Sequence, residues 1–215
     1  MNIETMHETI AMAKHHEQKT GHLKKLLEQH LNSNIHIAIQ LPKQDPVKGL
    51  LDFVIAYIEH VPSFLEATKA ITNSANIDEY SEPFLQLAED FFLKPPEIIA
   101  GHIGLDELMA EAYLAHRLME EVNDRFMLRS SIPLIPMDMT LSNLIIHNLI
   151  GEQFANQLDS TVEQIVRTAM LNEHVYESSD FKTYVALHKN NQWEQEYYHW
   201  PCLMDQLSIN LQFSQ

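Results

Sequence analysis

The sequence predicts a mainly α fold, a multi-helix bundle, from three observations. Apolar side chains recur every three or four residues through most of the chain, which is the period of an amphipathic helix. Five glycines among 215 residues are too few for a turn-rich β fold. Two long segments, residues 105–129 and 140–171, carry the helical pattern most continuously. These two segments are predicted to be the central helices.

The first central segment has one broad apolar face that also contains polar residues. At about 100° per residue, His116 and Asn123 fall inside this face. Glu120 follows His116 by one turn at the rim of the face, so the two side chains can meet. The apolar members of the face are Leu105, Leu108, Met109, Ala112, Ala115, Met119, Val122 and Phe126.

The second central segment is apolar around most of its circumference, which is typical of a helix with neighbours on several sides. His147 falls near Phe154 and Leu158 on the helical wheel and is predicted to be interior. Glu152 follows His147 by five residues, so the two side chains reach a common point only from the flank of the helix.

The segments before the central helices are predicted to be a long helix and a strand. Residues 3–31 have two apolar stripes, and Gly21 between them is expected to weaken or bend the helix. Residues 34–41 alternate between apolar and polar side chains, as strands do, and residues 207–213 alternate in the same way. Because two isolated strands are only marginally stable, we expect them to pair as a two-stranded β-ribbon, with each other or with a second copy of the chain.

Residues 47–61 predict another helix, and His60 lies on its apolar line. Pro62 is expected to end this helix, to kink it or to begin a new one. Further helices are predicted over residues 77–93, 180–188 and 192–199.

The whole chain, residues 1–215, is expected to form a single helical domain, since its length suffices for one sizeable core. In this organisation the N-terminal helix 3–31 and the C-terminal segment 180–215 pack on a core of residues 47–171.

Charge and cysteine content exclude several classes of protein. The formal net charge of −16 argues against binding to nucleic acid or to an anionic membrane surface, because both require clustered Lys and Arg. It is compatible with cationic ligands and metal ions. The single cysteine, Cys202, excludes an intramolecular disulfide. The polar N-terminal stretch and the lack of a long apolar run predict a cytoplasmic protein.

Three histidines on three different predicted helices are the strongest candidates for a functional site. Helical bundles build metal sites from side chains that project between facing helices. The candidate ligands for iron or another divalent metal are His60, His116, Glu120, His147 and Glu152. Asn123 would fix the orientation of a histidine ring beside the metal. In the alternative interpretation, each histidine is a core residue hydrogen-bonded to backbone or to a buried Asn.

The His116–Glu120 and His147–Glu152 pairs resemble the helix-borne ligand pairs of hemerythrin-type and ferritin-like di-iron bundles. This resemblance covers two short motifs and implies a non-haem iron site. The central helices carry neither the Glu-x-x-His pair of ferritin-like proteins nor the His-xxx-His pair of hemerythrin-like proteins. Membership of either family is therefore not predicted.

Three hypotheses about function follow from these patterns. The first is a non-enzymatic helical domain that acts through protein partners or as a homo-oligomer. The second is a metal-binding bundle that uses the interior His and Glu residues. The third is a pocket for a small hydrophobic ligand, lined by Met and aromatic side chains. The sequence has no phosphate loop, dinucleotide fingerprint or nucleophile elbow, so no class of enzyme is predicted.

Overall fold

A computed structural model of the chain describes residues 1–33, 35–74, 76–100, 102–135, 138–169, 177–188 and 209–211. Within these ranges there are eight α-helices, one 3₁₀ turn and two short strands. The predicted mainly α, multi-helix bundle is confirmed.

The N-terminal part forms two helices, α1 (Ile3–Thr20) and α2 (His22–Ser33), where one helix over 3–31 was predicted. Gly21 separates them with φ 58° and ψ 35°, a left-handed conformation that glycine adopts at little cost. The Glu17 carboxylate accepts hydrogen bonds from the backbone N–H groups of Leu23 at 2.8 Å and Lys24 at 3.0 Å. The break is therefore capped by a buried side chain.

Helix α3 (Pro46–Ser74) runs without interruption through Pro62. A proline inside a helix removes one backbone hydrogen bond and costs about 3 kcal/mol. Phe53 and Tyr57 before Pro62 and Phe64 after it are fully buried. Burial of such side chains stabilises by roughly 2 kcal/mol each, so packing outweighs the local cost of the proline.

Helix α4 (Asp78–Leu93) and a 3₁₀ turn (Glu97–Ile99) lead into α5 (Leu105–Ser130), the predicted first central helix. Most residues of α5 are buried, and the helix contacts α1, α2, α3 and α4. This position makes α5 the axis of the bundle.

The prediction that residues 140–171 form one central helix is wrong. The structure contains α6 (Thr140–Ile150) and α7 (Glu152–Ala169), both of which pack on α5. Gly151 lies between them with φ 96° and ψ 134°, a conformation that L side chains rarely adopt. His147 is consequently in the last turn of α6, and Glu152 is the first residue of α7.

The C-terminal part contributes α8 (Ser179–His188), close to the predicted helix 180–188. The rings of Phe181 and Tyr184 contact the ring of Phe126 on α5, with centroid distances of 5.4 and 6.3 Å. This contact joins the beginning of the C-terminal segment to the core. The predicted helix 192–199 and Cys202 lie outside the described residues.

Strand β1 (Ile39–Gln40) pairs antiparallel with β2 (Asn210–Leu211), so that Ile39 faces Leu211. The alternating patterns predicted longer strands over 34–41 and 207–213. Residues 35–38 are outside the strand, and the Ile37 side chain is exposed. Residues 34, 207–208 and 212–213 lie outside the described part of the chain.

Buried apolar side chains from all eight helices form one continuous core that extends from Met6 to Ile209. None of the described helices combines the length and the apolar composition needed to cross a bilayer.

Candidate functional site

His60 on α3 and His116 on α5 meet in the middle of the bundle. Nδ1 of His60 lies 3.2 Å from Nε2 of His116, so one ring donates a hydrogen bond and the other accepts it. The His116 ring is fully buried, with its centroid 4.3 Å from that of Tyr57 and 5.1 Å from that of Phe64. Its Nδ1 has no regular hydrogen bond among the described residues, although the Ala112 carbonyl one turn earlier favours a proton there.

Both rings of this histidine pair are neutral at pH 7. Burial lowers the pKa of His60 to about 4. Burial, with a further contribution from His60, lowers the pKa of His116 well below its usual value. The two neutral rings are hydrogen-bonded to each other, whereas the alternative interpretation gave each ring a backbone or a buried Asn as its partner.

Glu120 directs its hydrogen bonds toward α6. Oε1 accepts from the Thr140 hydroxyl at 3.0 Å, and Oε2 accepts from the Asn143 amide at 2.7 Å. Asn143 Oδ1 in turn accepts from the Tyr57 hydroxyl at 2.6 Å. Arg117, three residues before Glu120, forms an ion pair with Glu120 Oε2. The polar groups that enter the core at this point satisfy one another.

Arg117 extends this set of contacts to α7. Its Nε donates to Asp159 at 2.9 Å, and the Tyr113 hydroxyl donates to both oxygens of Asp159 at 3.0 and 3.1 Å. Burial, together with the Asp159 charge, raises the pKa of Tyr113 above its usual value, so the hydroxyl remains a donor. We call the following six residues the polar network: Tyr57, Tyr113, Arg117, Glu120, Asn143 and Asp159.

His147 and Glu152 lie at the corner between α6 and α7. The His147 side chain is 25% exposed, and its Nε2 lies 3.2 Å from Asn156 Oδ1 and 3.7 Å from the Asp159 carboxylate. The predicted interior position is therefore only partly met, because α6 ends three residues after His147. Together with His36, these two residues line a pocket of about 340 Å³.

The five predicted metal ligands do not converge on one point: His60 and His116 form a pair, Glu120 belongs to the polar network, and His147 and Glu152 lie at the α6–α7 corner. Among the residues that the structure describes, no three His, Cys, Asp or Glu side chains are grouped so that they could hold a metal ion. Protein sites for zinc, calcium and iron draw on several such ligands at once. The iron or divalent-metal site stays a prediction, and the described residues supply no convergent ligand set for it.

Asn123 anchors the loop that follows α5. Its Oδ1 accepts hydrogen bonds from the backbone N–H groups of Leu134 at 2.7 Å and Ile135 at 3.0 Å. Both of these loop residues are buried, so their N–H groups need an acceptor inside the protein. Asn123 therefore orients a loop, where the sequence predicted that it would orient a histidine ring.

A further pocket, of about 370 Å³, lies where α1, the end of α4 and the start of α5 meet. We call it the α1–α4–α5 pocket. Its volume falls within the range of roughly 300–1,000 Å³ that is usual for small-molecule sites. The apolar lining consists of Met12, Ala13, Phe92, Leu93, Pro95 and Leu108. The polar side chains of the lining are those of Thr9, His16, Glu107 and Glu111.

Glu111 is the most unusual residue of this pocket. It is only 3% exposed, and its Oε2 has no hydrogen-bond partner within the described part of the chain. Burial, with a contribution from the charge of Glu107 one turn earlier, raises the pKa of Glu111 to about 8. Most molecules therefore carry a proton on Glu111 at pH 7. An unpaired buried group of this kind costs about 1–3 kcal/mol.

His16 brings a second unpartnered atom to the same pocket. Its Nε2 is buried and, among the described residues, has no hydrogen bond. Gly104, just before α5, has φ 65°, and a Cβ there would lie 2.9 Å from Cδ2 of His16. The close approach of the imidazole ring to the start of α5 therefore depends on the glycine.

Comparison of the chain with protein-family models, with curated proteins and with solved structures finds no significant match.

Neither Glu111 nor His16 was among the predicted site residues, but one of them had a signal in the sequence. The residues three, four and seven positions after Glu111 are Leu114, Ala115 and Leu118, all of which are buried. An acidic residue so surrounded on a helical wheel is expected to be buried as well. The position of His16 depends on how α1 packs against α5, and no local pattern indicates it.

Proposed function

We propose that this protein binds a small amphipathic organic molecule in the α1–α4–α5 pocket. The observation that carries the proposal is the Glu111 carboxyl, which lines the pocket, is 3% exposed and, among the described residues, leaves Oε2 without a hydrogen bond. Buried polar atoms are nearly always paired in native proteins, so an unpaired one indicates a partner from outside the chain.

The lining of the pocket supports a ligand with an apolar part. Phe92 and Leu108 form a buried wall, and each methylene group that a ligand buries contributes about 0.8 kcal/mol. Met12 lines the pocket but is 67% exposed, so its side chain lies at the mouth. A flexible thioether at this position adapts readily to different apolar shapes.

The other hypotheses from the sequence stay predictions. These are action through a protein partner or as a homo-oligomer, binding of a divalent metal, and a cytoplasmic location. The ligand hypothesis is the one favoured by a specific observation among the described residues, the unpaired Glu111 carboxyl in the lining of a pocket.

The proposal is tested with three six-carbon probes, 1-hexanol, hexylamine and hexanoate, in protein labelled at the methionine methyl groups. We expect the Met12 methyl resonance to shift saturably with at least one probe, with a dissociation constant of about 1 mM or lower. Met127, 45% exposed on the last turns of α5, serves as the control resonance and should not shift.

An Ala13→Leu variant links the shift to the pocket, because Ala13 lines it and the larger side chain occupies part of the volume. We expect at least fivefold weaker binding, while the resonances of the buried Met6 and Met119 report an intact fold. If none of the three probes shifts Met12 saturably in the unmodified protein, the proposed function is wrong.

A further inference from the structure

Resting on that proposed function, we infer that the ligand is an organic cation, an ammonium group with an apolar tail, whose charge is held by Glu111 and Glu107. This inference concerns the class of ligand, and it can fail while the pocket still binds neutral molecules.

The polar lining of the pocket offers acceptors and carries negative charge. Glu107 and Glu111 lie one turn apart on α5, and the lining residues include no Lys or Arg within the described part of the chain. An ammonium group has three N–H donors and no acceptor, so it matches the two carboxyl groups and the buried Nε2 of His16. A carboxylate ligand would instead be repelled by Glu107 and would keep Glu111 in its protonated form.

The ends of two helices border the pocket and contribute to its electrostatic potential. Phe92 and Leu93 are the last residues of α4, so the partially negative C-terminal end of that helix borders the pocket and favours a cation. The N-terminal end of α5 also lies there and has the opposite polarity. Its first turn carries Asp106 and Glu107, whose charges offset that polarity.

The competing ligand is a neutral molecule that accepts a hydrogen bond from protonated Glu111. The two cases differ in their proton balance. An ammonium ion stabilises the carboxylate form, so its binding at pH 7 displaces the Glu111 proton to solvent, whereas a neutral acceptor retains this proton. The titratable groups that face Glu111 are Glu107 on its own helix and His16 from α1. The α4 side of the pocket contributes the apolar residues Phe92 and Leu93.

The deciding experiment is calorimetric titration of the full chain with hexylammonium and 1-hexanol at pH 6, 7.5 and 9. With a Glu111 pKa of about 8, we expect hexylammonium to bind up to about 100-fold more tightly at pH 9 than at pH 6. A further titration with hexylammonium at pH 7, in buffers of different ionisation enthalpy, should reveal the release of nearly one proton per bound cation. The affinity for 1-hexanol should not increase with pH.

Matched variants assign the effect to Glu111. Glu111→Gln is nearly isosteric and should abolish the preference for hexylammonium and its pH dependence, while 1-hexanol still binds. His16→Gln should leave most of the pH dependence intact. Equal affinities for hexylammonium and 1-hexanol at pH 9, or binding of the cation without proton release, would overturn the cation assignment while leaving the proposed function standing. Absence of binding by every probe overturns both.

Discussion

Helix α5 places polar side chains in the interior in two regions. In one region these groups are hydrogen-bonded to one another, and in the other a buried polar atom has no partner among the described residues. In the polar network, Arg117 and Glu120 have direct partners on α5, α6 and α7. In the α1–α4–α5 pocket, the buried Oε2 of Glu111 has none among the described residues. Polar groups that satisfy one another fix the positions of helices. The unpaired atom of Glu111 belongs to a residue that lines a cavity, and the proposed ligand site rests on this observation.

The two halves of the bundle should also respond to pH in opposite directions. The histidine pair next to the polar network is buried in its neutral form, so acid opposes the fold there. Glu111 is buried most easily when it is protonated, so alkali opposes the fold at the pocket. Measurements of stability as a function of pH can therefore test this difference between the two regions without any ligand.

The largest effect is expected for Glu111→Gln. The pKa of Glu111 is raised from 4.5 to about 8, so the folded protein holds a proton that the unfolded chain loses between these values. Stability of the unmodified protein relative to the variant should be constant below pH 4.5, should fall between pH 4.5 and 8, and should be constant again above pH 8. At about 1.4 kcal/mol per unit, the total loss approaches 5 kcal/mol.

Urea unfolding of both proteins at pH 4.5, 6, 7.5 and 9 measures this difference. Glu66→Gln, which changes an exposed carboxyl group on α3, is the matched control and should give an offset that does not vary with pH. If the free energies of unfolding of Glu111→Gln and the unmodified protein vary with pH in parallel, the Glu111 carboxyl does not have a raised pKa in the folded protein.

A smaller effect of opposite sign is expected for His60→Asn. The pKa of His60 is lowered from 6.5 to about 4, so the unfolded chain takes up a proton in this window that the folded protein does not. The contribution of the neutral ring is therefore complete above pH 6.5 and is lost as the pH falls towards 4. The stability advantage of the unmodified protein over the variant should shrink by roughly 3 kcal/mol from pH 7 to pH 4.

The same urea titrations test this change, with His7→Asn on the exposed face of α1 as the control. A His60→Asn difference that stays constant from pH 7 to pH 4 would place the His60 ring in solvent.

The smallest of the three effects concerns the polar network itself. Arg117→Met leaves Glu120 and Asp159 without their shared cation, and we expect the free energy of unfolding to fall by about 2 kcal/mol. This is less than for a fully buried ion pair, because about a quarter of the Arg117 side chain is exposed. Arg125→Met is a closely matched control. Arg125 lies on the same helix with 29% side-chain exposure, and it pairs with Glu121.

We expect Arg125→Met to cost no more than about 0.5 kcal/mol, measured by urea unfolding at pH 7. Equal losses in the two variants would mean that the network contributes no more than an ordinary surface ion pair.

Helical periodicity was sufficient to predict the helices whose ends coincide with changes of pattern. Helix α5 was predicted over 105–129 and ends one residue later, and α4 was predicted to within one residue of its start. The break at Gly151 was missed, and Gly21 was expected to weaken or bend its helix but not to divide it into two. Both glycines have positive φ values that packing selects. Pro62 illustrates the reverse case, because burial keeps α3 continuous across a residue that locally opposes a helix.

The candidate site was harder to predict than the fold. The apolar lines on α3 and α5 correctly indicated that His60 and His116 face the interior, and the two rings meet. His147 is less buried than predicted, because the prediction assumed one straight helix through Gly151. The pocket around Glu111 is built by α1, α4 and α5 together, and the approach of α1 is a tertiary contact that no pattern within one segment encodes.

The pairing of Ile39 with Leu211 has a consequence for the order in which the protein assembles. Most of the chain lies between these two residues, so their contact closes a very long loop, and two-residue strands provide few hydrogen bonds to offset the lost chain entropy. Helical turns form within microseconds from neighbouring residues, whereas such a remote contact has to wait until the helices have docked. We therefore expect the ribbon to form late, after the helices have docked, and to contribute little to the assembly of the bundle.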